Sequence, residues 1–413
     1  MIKRLKQILY FPVASYFRFF AQIQLNLWKP KVVVVTGSNG KTTLLHLIES
    51  QLGDRAKYSH HANSAYGIPF NILGLERKTL NLFEWPFLFL VAPFKIFTPL
   101  PKQKIYVVEA DCDRPNEGKF LGSLLKPEAV LWLTVSKTHS ANFKNLNQIA
   151  NEFGYSLKYC RKFAIICGDN NLIVKELLRT KAKIEKIQKR NHLKNYQIFQ
   201  NGTKFKIDND EYFFKFLLPK DTFYSVSACK SLVSYLNLKF DPYFKKFTLP
   251  PGRSSKFAGI KNTTIIDSTY NATPASMEAA LNMYKKYPAK IKWAILSDMV
   301  ELGQDEKIEH QRLAKLIIDC RMDKVILMGP RIKEYTLPKL KEIAPGTDIE
   351  IFLTPKEVLD YLKVNIKGGE TIFFKGARFL EGIIEHLLKD KTNVNNLCRR
   401  ENIWQQRRKK WGL

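Results

Sequence analysis

The apolar residues of this chain gather in short runs that end on a polar or charged side chain, and stretches of helical character separate them. Val32, Val33, Val34 and Val35 are the clearest run, four β-branched residues that read as a buried strand, after which residues 44–49 continue as a helix. Ile105, Tyr106, Val107 and Val108 lead to Glu109, and residues 129–134 and 165–167 repeat the pattern after a turn. Further on, Ile265 and Ile266 lead to Asp267, residues 293–297 to Asp298, and Ile372, Phe373 and Phe374 to Lys375. A strand that ends on a charged residue presents it at the carboxyl edge of a sheet, where α/β folds keep their sites. The alternation predicts βαβ units and an α/β fold.

Two stretches break this rhythm. Residues 1–28 are rich in aromatics, carry Lys3, Arg4, Lys6 and Arg18, and have no small-residue cleavage site, so residues 1–29 are expected to form an aromatic, basic N-terminal helix. Residues 80–101 hold Phe83, Trp85, Phe87, Phe89, Leu90, Phe94 and Phe97, but Pro86, Pro93, Pro99 and Lys95 interrupt them, which makes a poor membrane-spanning helix. The preferred reading packs one stretch on the core and makes the other a flap beside the substrate. Peripheral membrane contact is the alternative.

At 413 residues, 45% of them hydrophobic, the chain is long enough for two or three domains with real cores. Its six cysteines (112, 160, 167, 229, 320 and 398) show no CxxC or metal-site spacing, and a reduced, cytoplasmic setting follows. The net charge of +29 attracts polyanions, yet the lysines are spread along the chain and no nucleic-acid motif appears. No specific nucleic acid is expected; nucleotide-sugar substrates, an anionic membrane surface or plain compositional bias all suit this charge.

The strand at residues 32–35 runs into Thr36, Gly37, Ser38, Asn39, Gly40, Lys41, Thr42 and Thr43. A strand–turn–helix of this kind aims backbone N–H groups and the positive end of a helix dipole at one spot. Lys41 adds a full charge there, and the Thr42 hydroxyl suits the Mg²⁺ of a nucleotide. These residues predict binding of a nucleoside triphosphate, with only Ser38 and Asn39 between the glycines.

The shortened Thr-Gly-x-x-Gly-Lys-Thr loop resembles that of the Mur ligase family, which joins an amino acid or peptide to a carboxylate during peptidoglycan synthesis at the expense of ATP. Four further segments carry the resemblance. Asn63, Gly67 and Pro69 match an Asn-rich loop before Gly-x-Pro that lines the cleft, although His61 and Ser64 stand where relatives usually have asparagine. Glu109 and the later His139 resemble the family's glutamate and histidine that bind a second Mg²⁺, and Glu109 followed by Asp113, Arg114 and Pro115 is similar to the pattern of D-alanyl-D-alanine-adding relatives. Gly252 and Arg253, followed by Asp267, Tyr270, Asn271, Ala272, Pro274, Ser276 and Met277, are similar to the D-alanyl-D-alanine-adding branch. Asp298, Met299, Glu301, Leu302 and Gly303, a following His310, and Lys375 with Gly376 and Arg378 agree with that branch.

The resemblance covers about residues 30–390 and implies a central P-loop ATPase-like domain with a parallel-rich sheet (30–250), then a smaller Rossmann-like C-terminal domain (251–390) and a basic tail (391–413). It implies ATP and Mg²⁺ as cofactors, with Gly37, Ser38, Asn39, Gly40, Lys41, Thr42, Thr43, Arg253 and Asp267 on the nucleotide. Thr42, Glu109 and His139 would hold metal, and Asn63, Asn271, Asp298 and Lys375 would face substrate. Lys41, His139 and Arg253 would carry the catalysis. The expected partners are a muramoyl-peptide-like acceptor and D-alanyl-D-alanine, handled by a monomer. A different or lipid-linked acceptor, or a nucleotide-binding relative with weakened catalysis, are the alternatives. Three departures feed them: only some 30 residues precede the P-loop strand where relatives carry a UDP-gripping domain, no lysine for carbamylation stands within residues 149–155, and residues 223–228 lack the family's His-Asn pair. The tail is expected either to dock on the body or to meet a membrane.

Overall fold

The computed structural model describes residues 2–77, 83–138 and 140–413, with side chains from residue 7. The chain divides into two compact units: residues 1–136, 142–189 and 224–247 form the first, and residues 137–141, 190–223 and 248–413 the second.

In the first unit, strands β1 (Lys31–Thr36), β2 (Ala56–Tyr58), β3 (Ile105–Ala110), β4 (Ala129–Trp132), β5 (Phe163–Cys167) and β6 (Lys183–Ile187) build a sheet ordered β2-β3-β1-β4-β5-β6. Every pairing is parallel. The four valines of β1 are buried, as a strand with helices on both faces requires. β1 lies between β3 and β4, so the strand order reverses there and opens a crevice at the carboxyl edge.

Helix α1 (Ile2–Trp28) and the helices α2 (Lys41–Leu52), α3 (Gly67–Leu73), α4 (Glu84–Lys95), α5 (Glu117–Leu125) and α6 (Leu146–Lys158) accompany this sheet. α1 docks through aromatic rings: Phe17 meets Phe70 at 4.7 Å and Phe89 at 5.1 Å, centroid to centroid. Pro93 lies inside α4 and cannot donate to the Phe89 carbonyl one turn back. The Tyr16 hydroxyl of α1 donates to that carbonyl at 2.7 Å, which lets α4 run on through a proline. Residues 80–101 therefore form a helix over part of their length, with Leu80 to Leu82 outside the described residues.

The second unit holds an antiparallel meander of β7 (Leu193–Phe199), β8 (Gly202–Ile207) and β9 (Asp210–Phe214). Its main sheet comprises β10 (Ser255–Ala258), β11 (Thr264–Asp267), β12 (Lys292–Ser297), β13 (Lys324–Met328), β14 (Ile349–Phe352) and β15 (Thr371–Lys375), ordered β10-β11-β15-β12-β13-β14. β10 is antiparallel to β11 and the other pairings are parallel. One face packs Leu281, Tyr284, Leu313 and Ile317, the other Val358, Leu362, Ile383 and Leu387, so helices cover both faces. The chain is α/β throughout, with a parallel six-stranded sheet followed by a separate mixed one.

The basic tail docks on this unit. Arg399 and Arg408 reach the fully buried Glu381 at 3.2 and 3.8 Å, and Leu397 and Cys398 are buried.

Candidate active site

In the first unit the loop after β1 is shaped by close approach. Gly37 has φ +124°, and a Cβ there would lie 2.8 Å from the Thr134 carbonyl oxygen. Gly40, at φ +85°, caps α2, where a side chain would press on Leu133. The loop is pinned to the segment after β4: Ser38 N–H donates to Thr134 O at 2.9 Å and Asn39 N–H to Thr134 Oγ1 at 2.8 Å. The Asn39 amide also reaches Ser136 Oγ at 2.8 Å. The first intrahelical bond of α2 runs from Leu44 N–H to Gly40 O, so the N–H groups of residues 40–43 precede the helical ladder and point along its axis. Thr43 is half-buried on that turn.

Lys41 is buried and its Nζ lies 2.8 Å from Asp111 Oδ2 and 2.6 Å from Gly37 O. Burial by itself would lower its pKa, but Asp111 and then Glu109 outweigh it and hold the ammonium above its ordinary value. Thr42 Oγ1 donates to Glu109 Oε1 at 3.2 Å. The two are brought together because Glu109 ends β3 beside β1, in register with Val35. Ser59 Oγ accepts the Glu109 N–H, and Asn63 O accepts the Asp111 N–H at 2.8 Å, so the Asn63 loop reaches the same edge. Hydroxyl, carboxylate and glycine cradle fit a phosphate-bound divalent cation held by Thr42 and Glu109. His139 lies outside the described residues.

Asp111 as the partner of Lys41 is not among the sequence expectations; its signal is the Glu-x-Asp spacing at the end of an apolar strand. Nor is Glu152 among them, in the stretch without a lysine. Both its oxygens cap α5, accepting N–H from Asn116 at 2.9 Å and Gly118 at 3.0 Å. Gly118 is needed for this contact, since a Cβ would sit 1.9 Å from the Glu152 carbonyl oxygen. Beside it the buried Glu117 accepts from the Tyr10 hydroxyl of α1 (2.7 Å), Ala65 N–H (2.8 Å) and Asp113 N–H (3.1 Å). In the segment expected to carry a His-Asn pair, the Tyr224 hydroxyl bonds Asp169, and Ser225 Oγ stands 3.7 Å from the Cβ position of Gly40. A separate trio, His46, Glu49 and His60, brings three ligand atoms within 4.8 Å of one another.

In the second unit the adjacent strands β11, β15 and β12 deliver Asp267, Lys375 and Asp298 to one edge. Lys375 is buried; its Nζ donates to Asn271 O at 2.7 Å and Ser268 O at 3.3 Å. Burial, reinforced by Arg253 and opposed by Asp267, lowers its pKa to about 7. Asp267 Oδ1 accepts the N–H and hydroxyl of Thr269, while Oδ2 is buried without a hydrogen-bond partner, and burial raises its pKa. Arg253 stacks 4.3 Å over the Tyr270 ring. Arg399 of the tail donates to Thr269 O and Tyr270 O, fixing the loop that carries Asn271.

Asp298 is fully buried and saturated: it holds Arg378 at 2.7 Å, Arg331 at 3.5 Å and Ile332 N–H at 3.0 Å. His310 is a core residue that accepts Met299 N–H at Nε2 and bonds Glu306 O through Nδ1, and burial lowers its pKa.

Comparison with known proteins agrees with both halves. Residues 35–223 match the Mur ligase middle domain and residues 252–378 the Mur ligase glutamate ligase domain. A UDP-N-acetylmuramoyl-tripeptide–D-alanyl-D-alanine ligase of Bacillus subtilis is 24% identical over 371 residues, 87% of this chain and 75% of that one. Among solved structures, MurF ligase from Thermotoga maritima in complex with ADP superposes with a TM-score of 0.74 at 20% identity, covering 90% of this chain and 83% of the other. MurF from Acinetobacter baumannii gives 0.76 at 18%, covering 92% and 81%. Two domain matches in order, over a parallel P-loop sheet and a second mixed sheet, make this chain a member of the Mur ligase family.

Proposed function

We propose that the chain is an ATP-dependent amide ligase of cell-wall peptide synthesis that adds D-alanyl-D-alanine to the carboxylate of a UDP-muramoyl tripeptide. The observation that carries this reading is the convergence of the glycine cradle, Lys41, Thr42 and Glu109 at the switch point of the parallel sheet. The names of the matched relatives supply the substrates.

A carboxylate is a poor electrophile because its oxygen leaves badly. Transfer of the ATP γ-phosphoryl group gives an acyl phosphate; the dipeptide amine adds to its carbonyl, and the tetrahedral adduct collapses to amide and phosphate. Positioning and charge neutralisation dominate such a transfer. Lys41 exchanges Asp111 for phosphate oxygens, and the N–H groups of residues 40–43 cradle them. Thr42 and Glu109, with His139, would hold Mg²⁺, which supplies further charge neutralisation when bound. Arg253 carries a planar fork suited to phosphate, Asp267 a carboxylate suited to a ribose hydroxyl, and Asn63 an amide suited to the acceptor. Lys375 orders Asn271 on the amine side, and Asp298 acts there through Arg378, whose guanidinium it orients. Six buried free cysteines accord with a reducing cytoplasm.

Phosphate release with ATP, UDP-muramoyl tripeptide and D-alanyl-D-alanine tests the proposal, in competition with D-glutamate, L-lysine and L-alanine. Equal use of a single amino acid overturns the branch assignment, and turnover with another acceptor only would redirect it to that acceptor. A nucleotide-binding relative with weakened catalysis draws on the absence of a lysine within residues 149–155 and of a His-Asn pair within residues 223–228. ATP binding without phosphate release from any pair would favour it.

A further inference from the structure

The outer face of α4 is apolar without interruption. Phe87, Leu90 and Phe94 within α4, with Phe83 and Phe97 just beyond its two ends, recur at spacings of four and three residues, which suits one stripe, and in chain order the five are 86, 65, 71, 70 and 81% exposed. The opposite side is the one that packs: Leu88 and Ala92 are buried and Phe89 meets Tyr16 and Phe17 of α1. α1 adds exposed Ile8 and Phe19, eleven residues apart and hence on one side of that helix. A stripe of this size on a water-facing helix marks an interaction site.

Charge identifies what it meets. Residues 1–29 and 77–104, which carry these two helices and their flanks, contain ten Lys and Arg against one acidic residue, whereas the whole chain has 67 against 38. The lone acid, Glu84, is turned to Arg77 at 3.6 Å. Lys95 closes α4, and Lys102 and Lys104 are exposed just beyond it. Among the described residues no helix is long and apolar enough to cross a membrane, and the 12 residues of α4 would span about 18 Å of a hydrocarbon core about 30 Å thick. An apolar stripe edged with cations and too short to span is built to lie in a bilayer interface. We propose that the α4 stripe, flanked by α1, docks this protein on the surface of an anionic lipid bilayer.

The test is flotation of the full chain with vesicles of phosphatidylcholine alone or mixed with phosphatidylglycerol. The phosphatidylglycerol vesicles are expected to carry the protein, and phosphatidylcholine vesicles far less of it. Phe87→Ser with Phe94→Ser, both at exposed positions, should lower binding by about tenfold or more. Lys95→Glu with Lys102→Glu should remove the preference for phosphatidylglycerol. ADP affinity, read by calorimetry, should stay unchanged in both variants, which shows that the fold is retained. Three results would each overturn the proposal: no flotation of the wild type, equal flotation of the phenylalanine variant, or a wild-type dimer that the phenylalanine variant dissolves, which would assign the stripe to a second copy.

Discussion

Asp111→Asn tests how the P-loop lysine is held. Lys41 and Asp111 are 7% and 13% exposed and 2.8 Å apart. Removing one partner of a buried pair costs about 3–5 kcal/mol when nothing replaces it. Here Gly37 O stays on Lys41 and Glu109 still acts on its charge, so a loss of about 2–3 kcal/mol is expected. The same pair competes with phosphate, because Lys41 must leave Asp111 to reach a nucleotide. Without that competitor ADP should bind the variant about tenfold more tightly in the absence of divalent cations, equivalent to about 1.4 kcal/mol. Urea denaturation reads the first quantity and calorimetric titration with ADP the second. Stability within about 0.5 kcal/mol of wild type, together with weaker ADP binding, would refute the reasoning and make Asp111 a direct ligand contact.

Lys41→Ala should abolish phosphate release while leaving the circular dichroism spectrum unchanged. Lys375 has a folded pKa of about 7 against 10.5 unfolded, so the unfolded chain binds more protons between those values. Wild type should therefore gain stability relative to Lys375→Met by up to about 1.4 kcal/mol per pH unit from pH 7 upward, and urea midpoints independent of pH would exclude it. Gly118→Ala places a methyl group against the Glu152 carbonyl and should destabilise by about 3 kcal/mol, checked by thermal unfolding. Glu381→Ala leaves Arg399 and Arg408 without their shared carboxylate, and the tail should become sensitive to trypsin while the wild-type tail resists.

What could be read in advance was local. Four consecutive valines, a glycine turn and a lysine specify β1, its loop and α2 within a dozen residues, because a buried parallel strand has no other sequence signature as dense. The charged ends of β3, β11 and β15 were equally plain. The contacts of Asp111 and Glu152 were harder, since their partners lie 70 and about 35 positions away and depend on which elements become neighbours. α4 was obscured by its prolines: nothing near Pro93 says that a tyrosine 77 residues earlier will take the orphaned Phe89 carbonyl. The docked tail shows the same limit, because its basic run matches a membrane tail as well as it matches a buried Glu381.

Glu117 makes α1 more than an appendage. One buried carboxylate ties the Tyr10 hydroxyl to the backbone at Ala65 and at Asp113, and those two loops meet again where Asp111 N–H bonds Asn63 O. Whatever orders α1 therefore stiffens the loop bearing Asp111, and by thermodynamic reciprocity a ligand that fixes that loop must favour the docked helix by the same free energy. A protein of this design would report a ligand that fixes this loop at its N-terminal helix, 31 residues from Lys41 at Tyr10, as slower hydrogen exchange along α1.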